Sequence, residues 1–105
     1  MSPLEILLLI ALQINGISDH YDYAHCIVTK ESNWVASATG AAGERGLAQI
    51  MPATGQWFGE QAGFEFWDPE RLFEPEVNLY LLSWALAHDL DHHWSTQRLC
   101  KEYRP

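Results

Sequence analysis

Residues 31–54 read ESNWVASATGAAGERGLAQIMPAT, and the fold follows from how this stretch changes character along its length. Just upstream, Tyr23, Ile27 and Val28 recur at helical spacing, so a helix entered at Ser18 or Asp19 runs through roughly Glu31. Residues 33–45 then mix alanines with Ser37, Thr39, Gly40 and Gly43, a composition suited to a tightly turning, irregular segment. Residues 46–51 are a short apolar stretch. Pro52 suits the first turn of another helix, over residues 52–59.

The carboxylate that opens this stretch is the chemical focus. Glu31 closes a helix whose apolar residues belong to a core, and it faces the small-residue loop. A carboxyl half out of water has its charged form disfavoured, and its pKa rises. That is the state a general acid needs near neutral pH. A helix C-terminus repels carboxylates, so the position brings Glu31 no evident structural benefit.

Outward from there the chain is mainly α. Ser2-Pro3-Leu4-Glu5 reads as a helix start: Ser2 can cap, Pro3 suits the first turn, and Glu5 completes a capping box. Gly16 stops that helix. Residues 61–75 form a loop rich in Phe, Trp, Gly and Pro. From 76 to about 91, Val77, Leu79, Leu81, Leu82, Ala85 and Leu86 give strong helical periodicity, and residues 94–103 make a last short helix. No segment alternates with period two long enough to demand a strand. The expectation is a single helical domain over residues 1–105, with a small irregular or β-like region after Glu31.

Composition excludes several classes. With 48% hydrophobic residues and five Trp, 105 residues suffice for one core. Six basic residues against 14 acidic ones, a net charge of −8, make no basic stripe, so nucleic acid is not an expected partner. The apolar run at 4–14 is too short to span a bilayer and lacks a basic n-region. It reads as a buried first helix, with no stable membrane insertion. Cys26 and Cys100 allow one disulfide at most and fix no compartment. They read as two small buried hydrophobes.

The stretch 31–54 resembles the catalytic segment of the soluble lytic transglycosylases, related to goose-type lysozyme. That family reads E-S, a small-residue loop, then G-L-M-Q-I-x-P-x-T. Here Glu31-Ser32 open it, Ala38 and Gly43 hold loop positions, and Gly46-Leu47-Ala48-Gln49-Ile50-Met51-Pro52-Ala53-Thr54 close it without a gap. Residues 68–78 resemble the family's L-x-D-P-x-x-N-I region, with Leu72-Phe73-Glu74-Pro75-Glu76-Val77-Asn78-Leu79 as the better register. Tyr103 falls at the Tyr of the family's A-Y-N-x-G tail. The resemblance covers about residues 20–103. Departures are Ala36 for a loop Pro, Gly40 for a loop Ser, Ala48 for Met and Leu82 for Gly, together with a tail reading Glu102-Tyr103-Arg104-Pro105 where relatives continue into further helices.

The resemblance implies a compact lysozyme-like helical domain that cuts the peptidoglycan glycan strand between N-acetylmuramic acid and N-acetylglucosamine. Glu31 would be the catalytic acid/base, and the muramoyl 6-hydroxyl would close a 1,6-anhydro ring. Ser32, Gly46, Leu47, Gln49 and Tyr103 would serve the substrate: Gln49 through its amide, Ser32 by orienting the carboxyl or an acetamido group, Gly43 and Gly46 through close backbone approach, and Tyr103 by hydrogen-bonding Glu31. Trp34, Trp57, Phe58, Phe66 and Trp67 are candidate sugar-stacking rings, though most suit the core. Glu44 reads as a solvated loop residue, paired with Arg45 or another base.

No cofactor and no metal is expected. His88 and His92 stand at i, i+4, a zinc-compatible spacing, but without H-E-x-x-H a solvated helix end is the plainer reading. Two alternatives stand beside the transglycosylase: a hydrolase of the same bond using water, and a non-catalytic structural or glycan-binding module. The acidic chain would need tethering at an anionic wall. A phage particle or secretion apparatus is therefore the expected carrier, with action in the periplasm or cell wall.

Overall fold

A computed structural model describes residues 1–65 and 67–105. Helix α1 spans Pro3–Ile14 and begins with the capping box read from the sequence. Ser2 Oγ accepts from the Glu5 N–H at 3.2 Å, and Glu5 Oε1 accepts from the Ser2 N–H at 2.8 Å. Hydrogen bonding by the Ser2 backbone and by His25 draws the Glu5 carboxyl down to about 2. Gly16, at φ +75°, ends the run.

A short 3-10 turn, Ser18–His20, leads into α2, Tyr21–Ser32. Helix α3 is Pro52–Gln61, and α4 is Pro75–Ala87. Between α3 and α4 the expected loop contains a 3-10 helix, Pro69–Phe73, capped by the Asp68 side chain. The architecture is mainly α. Between α2 and α3 only isolated antiparallel bridges occur among the described residues, Thr39 with Arg45 and Arg45 with Ile50.

Helix α4 is central. Val77, Leu79, Leu81, Leu82, Ala85 and Leu86 are buried on several sides of it, as expected of a helix enclosed by others rather than lying on a surface. Leu8, Ala11 and Leu12 of α1 pack against it. The helix ends four residues before the expected 91, because Asp89 adopts a left-handed conformation at φ +58°. His88 and His92 therefore do not share a helix face. His88 Nδ1 instead hydrogen-bonds Trp84 O at 2.7 Å, and its ring stacks on that of Trp84.

The end of the chain departs from expectation twice. The last helix, Ser95–Tyr103, is 3-10 throughout. Cys26 and Cys100, expected as two separate buried hydrophobes, are joined in a disulfide with Cα atoms 5.8 Å apart. Sequence spacing could not reveal a bond across 74 residues. The two findings are linked. Thr96 meets Glu31 and Cys100 meets Cys26, so the C-terminal segment runs antiparallel to α2. Five residues of α-helix rise about 7.5 Å. Four residues rise about 8 Å as 3-10 helix but only about 6 Å as α-helix, so the 3-10 pitch fits both attachments. Below them, Asp91 accepts from Tyr23 Oη at 2.6 Å and Arg104 Nε at 3.0 Å. Burial opposes the Asp91 charge, yet these donors and the Arg104 charge hold its pKa below the usual value.

Candidate active site

The site is built on the turn that follows the irregular loop. Arg45 and Ile50 exchange backbone hydrogen bonds at 3.0 Å each, closing residues 45–50 into a tight turn. Gly46 sits in it at φ +77°. A Cβ there would run into Leu72 O and the Asn78 amide, so only glycine fits. Asn78, fully buried on α4, fills the turn from beneath. Its Oδ1 accepts from Ala48 N at 2.8 Å, and its Nδ2 donates to Arg45 O at 3.0 Å and Leu72 O at 2.8 Å. Trp94 Nε1 donates to Ala48 O at 2.8 Å, and Ser32 Oγ donates to Leu47 O at 2.7 Å. Two successive residues, Leu47 and Ala48, thus tie α2, α4 and the approach to the C-terminal 3-10 helix together.

Above this turn lies a cleft of about 150 Å³, whose lining includes Glu31, Glu44, Gln49, Thr54, His93 and Ser95. Glu31 enters from the last turn of α2 and is half-buried. Burial raises its carboxyl pKa; a hydrogen bond from Thr96 Oγ1 at 2.6 Å lowers it, and the Glu44 charge raises it further. The net shift is upward, so Glu31 stays protonated to higher pH than a free glutamate. Gln49, at φ +52°, donates Nε2 to Gly46 O at 2.9 Å and Ala38 O at 3.1 Å. The amide nitrogen braces the loop, and the side chain still lines the cleft. A proton donor held at a polar cleft beside an amide is an arrangement suited to general acid chemistry.

Residues 11–98 match the family model of the transglycosylase SLT domain. The chain belongs to that family. Its activity is therefore of the lytic transglycosylase type, with cell-wall peptidoglycan as substrate. No curated protein matches the chain.

Among SLT domain residues singled out from the sequence, Glu31 and Gln49 share the cleft, whereas Ser32, Gly46 and Leu47 lie at or below its floor. Leu47 is only 1% exposed. The Ser32 hydroxyl bonds Leu47 O and accepts from the Trp34 N–H, so it braces backbone. Tyr103 is not at the cleft. It is 47% exposed and lines a separate groove with Asp22, His25, Cys26, Thr29 and Lys30. The disulfide at Cys100 sends the chain beyond it toward the start of α2, away from Glu31. Thr96 takes the hydrogen bond expected of Tyr103.

Glu44 also differs from expectation. Arg45 pairs with Glu70 at 3.1 Å instead, while Glu44 Oε1 accepts from the Ala42 N–H at 2.8 Å and the side chain lines the cleft. Of the candidate stacking rings, Phe58 is fully buried, and Trp34 and Trp67 pack against the core. Phe66 lies outside the described residues. Trp57 is 45% exposed, and its ring lies 6.5 Å from that of His93 on the cleft wall. Thr96 and the bracing Asn78 are what sequence reasoning missed. Asn78 stood in a recognised motif without an assigned role. Thr96 carried no signal, because its partner is 65 residues away.

The family acts on cell-wall peptidoglycan, and no helix among the described residues is long and apolar enough to cross a membrane. No group of three or more His, Cys, Asp or Glu among the described residues is gathered as for a metal ion.

Proposed function

We propose that the chain cleaves the β-1,4 bond between N-acetylmuramic acid and N-acetylglucosamine, with Glu31 as sole acid/base and a 1,6-anhydromuramoyl product. The observation that carries this reading is the half-buried Glu31 carboxyl lining a polar cleft, where burial favours its protonated form. Protonated Glu31 gives its proton to the bridging oxygen as the bond to the anomeric carbon breaks. The muramoyl 6-hydroxyl then attacks that carbon, and its proton returns to Glu31. The attacking hydroxyl is already tethered to the reacting sugar, which removes the need to position a water. Gln49 serves the sugar through its amide oxygen. Trp57 offers an exposed ring beside His93 of the cleft wall.

A second reading, hydrolysis, draws support from Glu44, which lines the same cleft. A water-activating base must stand across the sugar from the acid. The bond from Ala42 N–H ties Glu44 into its own loop turn, which favours a bracing role. Digestion of purified peptidoglycan followed by mass spectrometry separates the two. The proposal expects muropeptides lighter by one water than hydrolytic ones. Dominant reducing ends would overturn it.

The site of action proposed is the periplasm or cell wall. A disulfide persists in oxidising compartments, and a net charge of −8 favours delivery by a larger assembly, such as a phage particle or secretion apparatus, over free diffusion to an anionic wall.

A further inference from the structure

We propose that Thr96 is the positioning residue of this site, its hydroxyl deciding which oxygen of Glu31 carries the proton into the cleft. The proposal rests on Glu31 being the acid. A protonated carboxyl has one good acceptor, its carbonyl oxygen, and one donor, its hydroxyl. Thr96 Oγ1 donates to Oε2 at 2.6 Å, a length typical of a strong O–H···O bond to a carboxyl group. With Oε2 occupied as acceptor, the proton resides on Oε1. That oxygen is then the one free to serve the glycosidic oxygen.

The surroundings give Thr96 this task and leave Tyr103 out of it. Cys100 stands four residues beyond Thr96 and is bonded to Cys26, five residues before Glu31. The covalent tie and the 3-10 pitch set the register of Thr96 against Glu31. Ser95, its neighbour, is itself on the cleft wall. The same hydrogen bond opposes the upward shift imposed by burial, so Thr96 also tempers how strongly Glu31 holds its proton.

Three variants test this: Thr96→Val, Thr96→Ala and Thr96→Ser, each checked for wild-type folding by circular dichroism. Glycan cleavage is followed across pH, and the Glu31 side-chain carboxyl is titrated by carbon NMR. Loss of the hydroxyl in T96V and T96A should lower kcat roughly tenfold or more with KM little changed. It should also raise the Glu31 pKa, moving the alkaline limb of the rate profile to higher pH. T96S should restore both. A scaffold role alone would move neither the titration nor its rescue by serine. Wild-type cleavage with T96V equally fast and its Glu31 titration unmoved would overturn the role of Thr96 alone. A folded wild-type protein that leaves the glycan intact would overturn the reading of Glu31, and this proposal with it.

Discussion

Asn78 Oδ1 accepts the backbone N–H of Ala48 at 2.8 Å, so the buried helix α4 dictates where the 45–50 turn stands beneath the cleft. Replacing Asn78 by leucine, of similar volume, strands that buried N–H together with the Leu72 carbonyl, while Arg45 O keeps only its bond from the Ile50 N–H. Each unmet buried group costs about 1–3 kcal/mol. We expect Asn78→Leu to lose roughly 3 kcal/mol or more of stability by urea denaturation. A midpoint close to wild type at unchanged slope would contradict the bracing role.

Glu31→Gln should abolish cleavage while preserving the fold. The amide cannot give and retrieve a proton, so the rate should fall at least roughly a hundredfold. Its effect on stability has a definite sign. The folded pKa of Glu31 is raised, so the folded state binds more protons than the unfolded chain between the two values. Stability falls as pH rises through that window. The glutamine variant lacks this loss. It should melt at or above wild type at neutral pH, with the advantage vanishing below the ordinary glutamate pKa of about 4.3. Thermal melts across pH provide the check.

Glu44→Gln isolates the second carboxylate. Its charge helps raise the Glu31 pKa, so neutralising it should move the alkaline limb of activity to lower pH. Anhydro products should persist. If this variant instead removes reducing-end products that dominate in wild type, the protein is a hydrolase with Glu44 as its second group.

Reduction of Cys26–Cys100 should loosen the whole domain. The bridge closes a loop across 74 residues, and the chain-entropy estimate for such a loop is about 4 kcal/mol. Melting with and without reductant, alongside the Cys26→Ser/Cys100→Ser double variant, measures it. Activity should fall in parallel, because the register between Thr96 and Glu31 depends on the same tie. Unchanged melting on full reduction would refute the contribution assigned to the bridge.

Local pattern determines much of this protein. The capping box at Ser2 and Glu5, the helical periodicity through Val77 and Leu86, and the E-S and G-L-x-Q spacing from Glu31 to Gln49 all act within a few turns of chain. Helix formation and turn geometry are likewise local, so these features were legible. What the sequence concealed lies in contacts across long separations. Thr96 reaches Glu31, Cys100 reaches Cys26, and Asn78 reaches Ala48. Tyr103 matched a motif by position, yet the disulfide and the 3-10 pitch carry it to another face. A motif specifies residue type and spacing along the chain. Which hydroxyl meets the carboxyl is decided by how helices pack, and only the tertiary structure sets that.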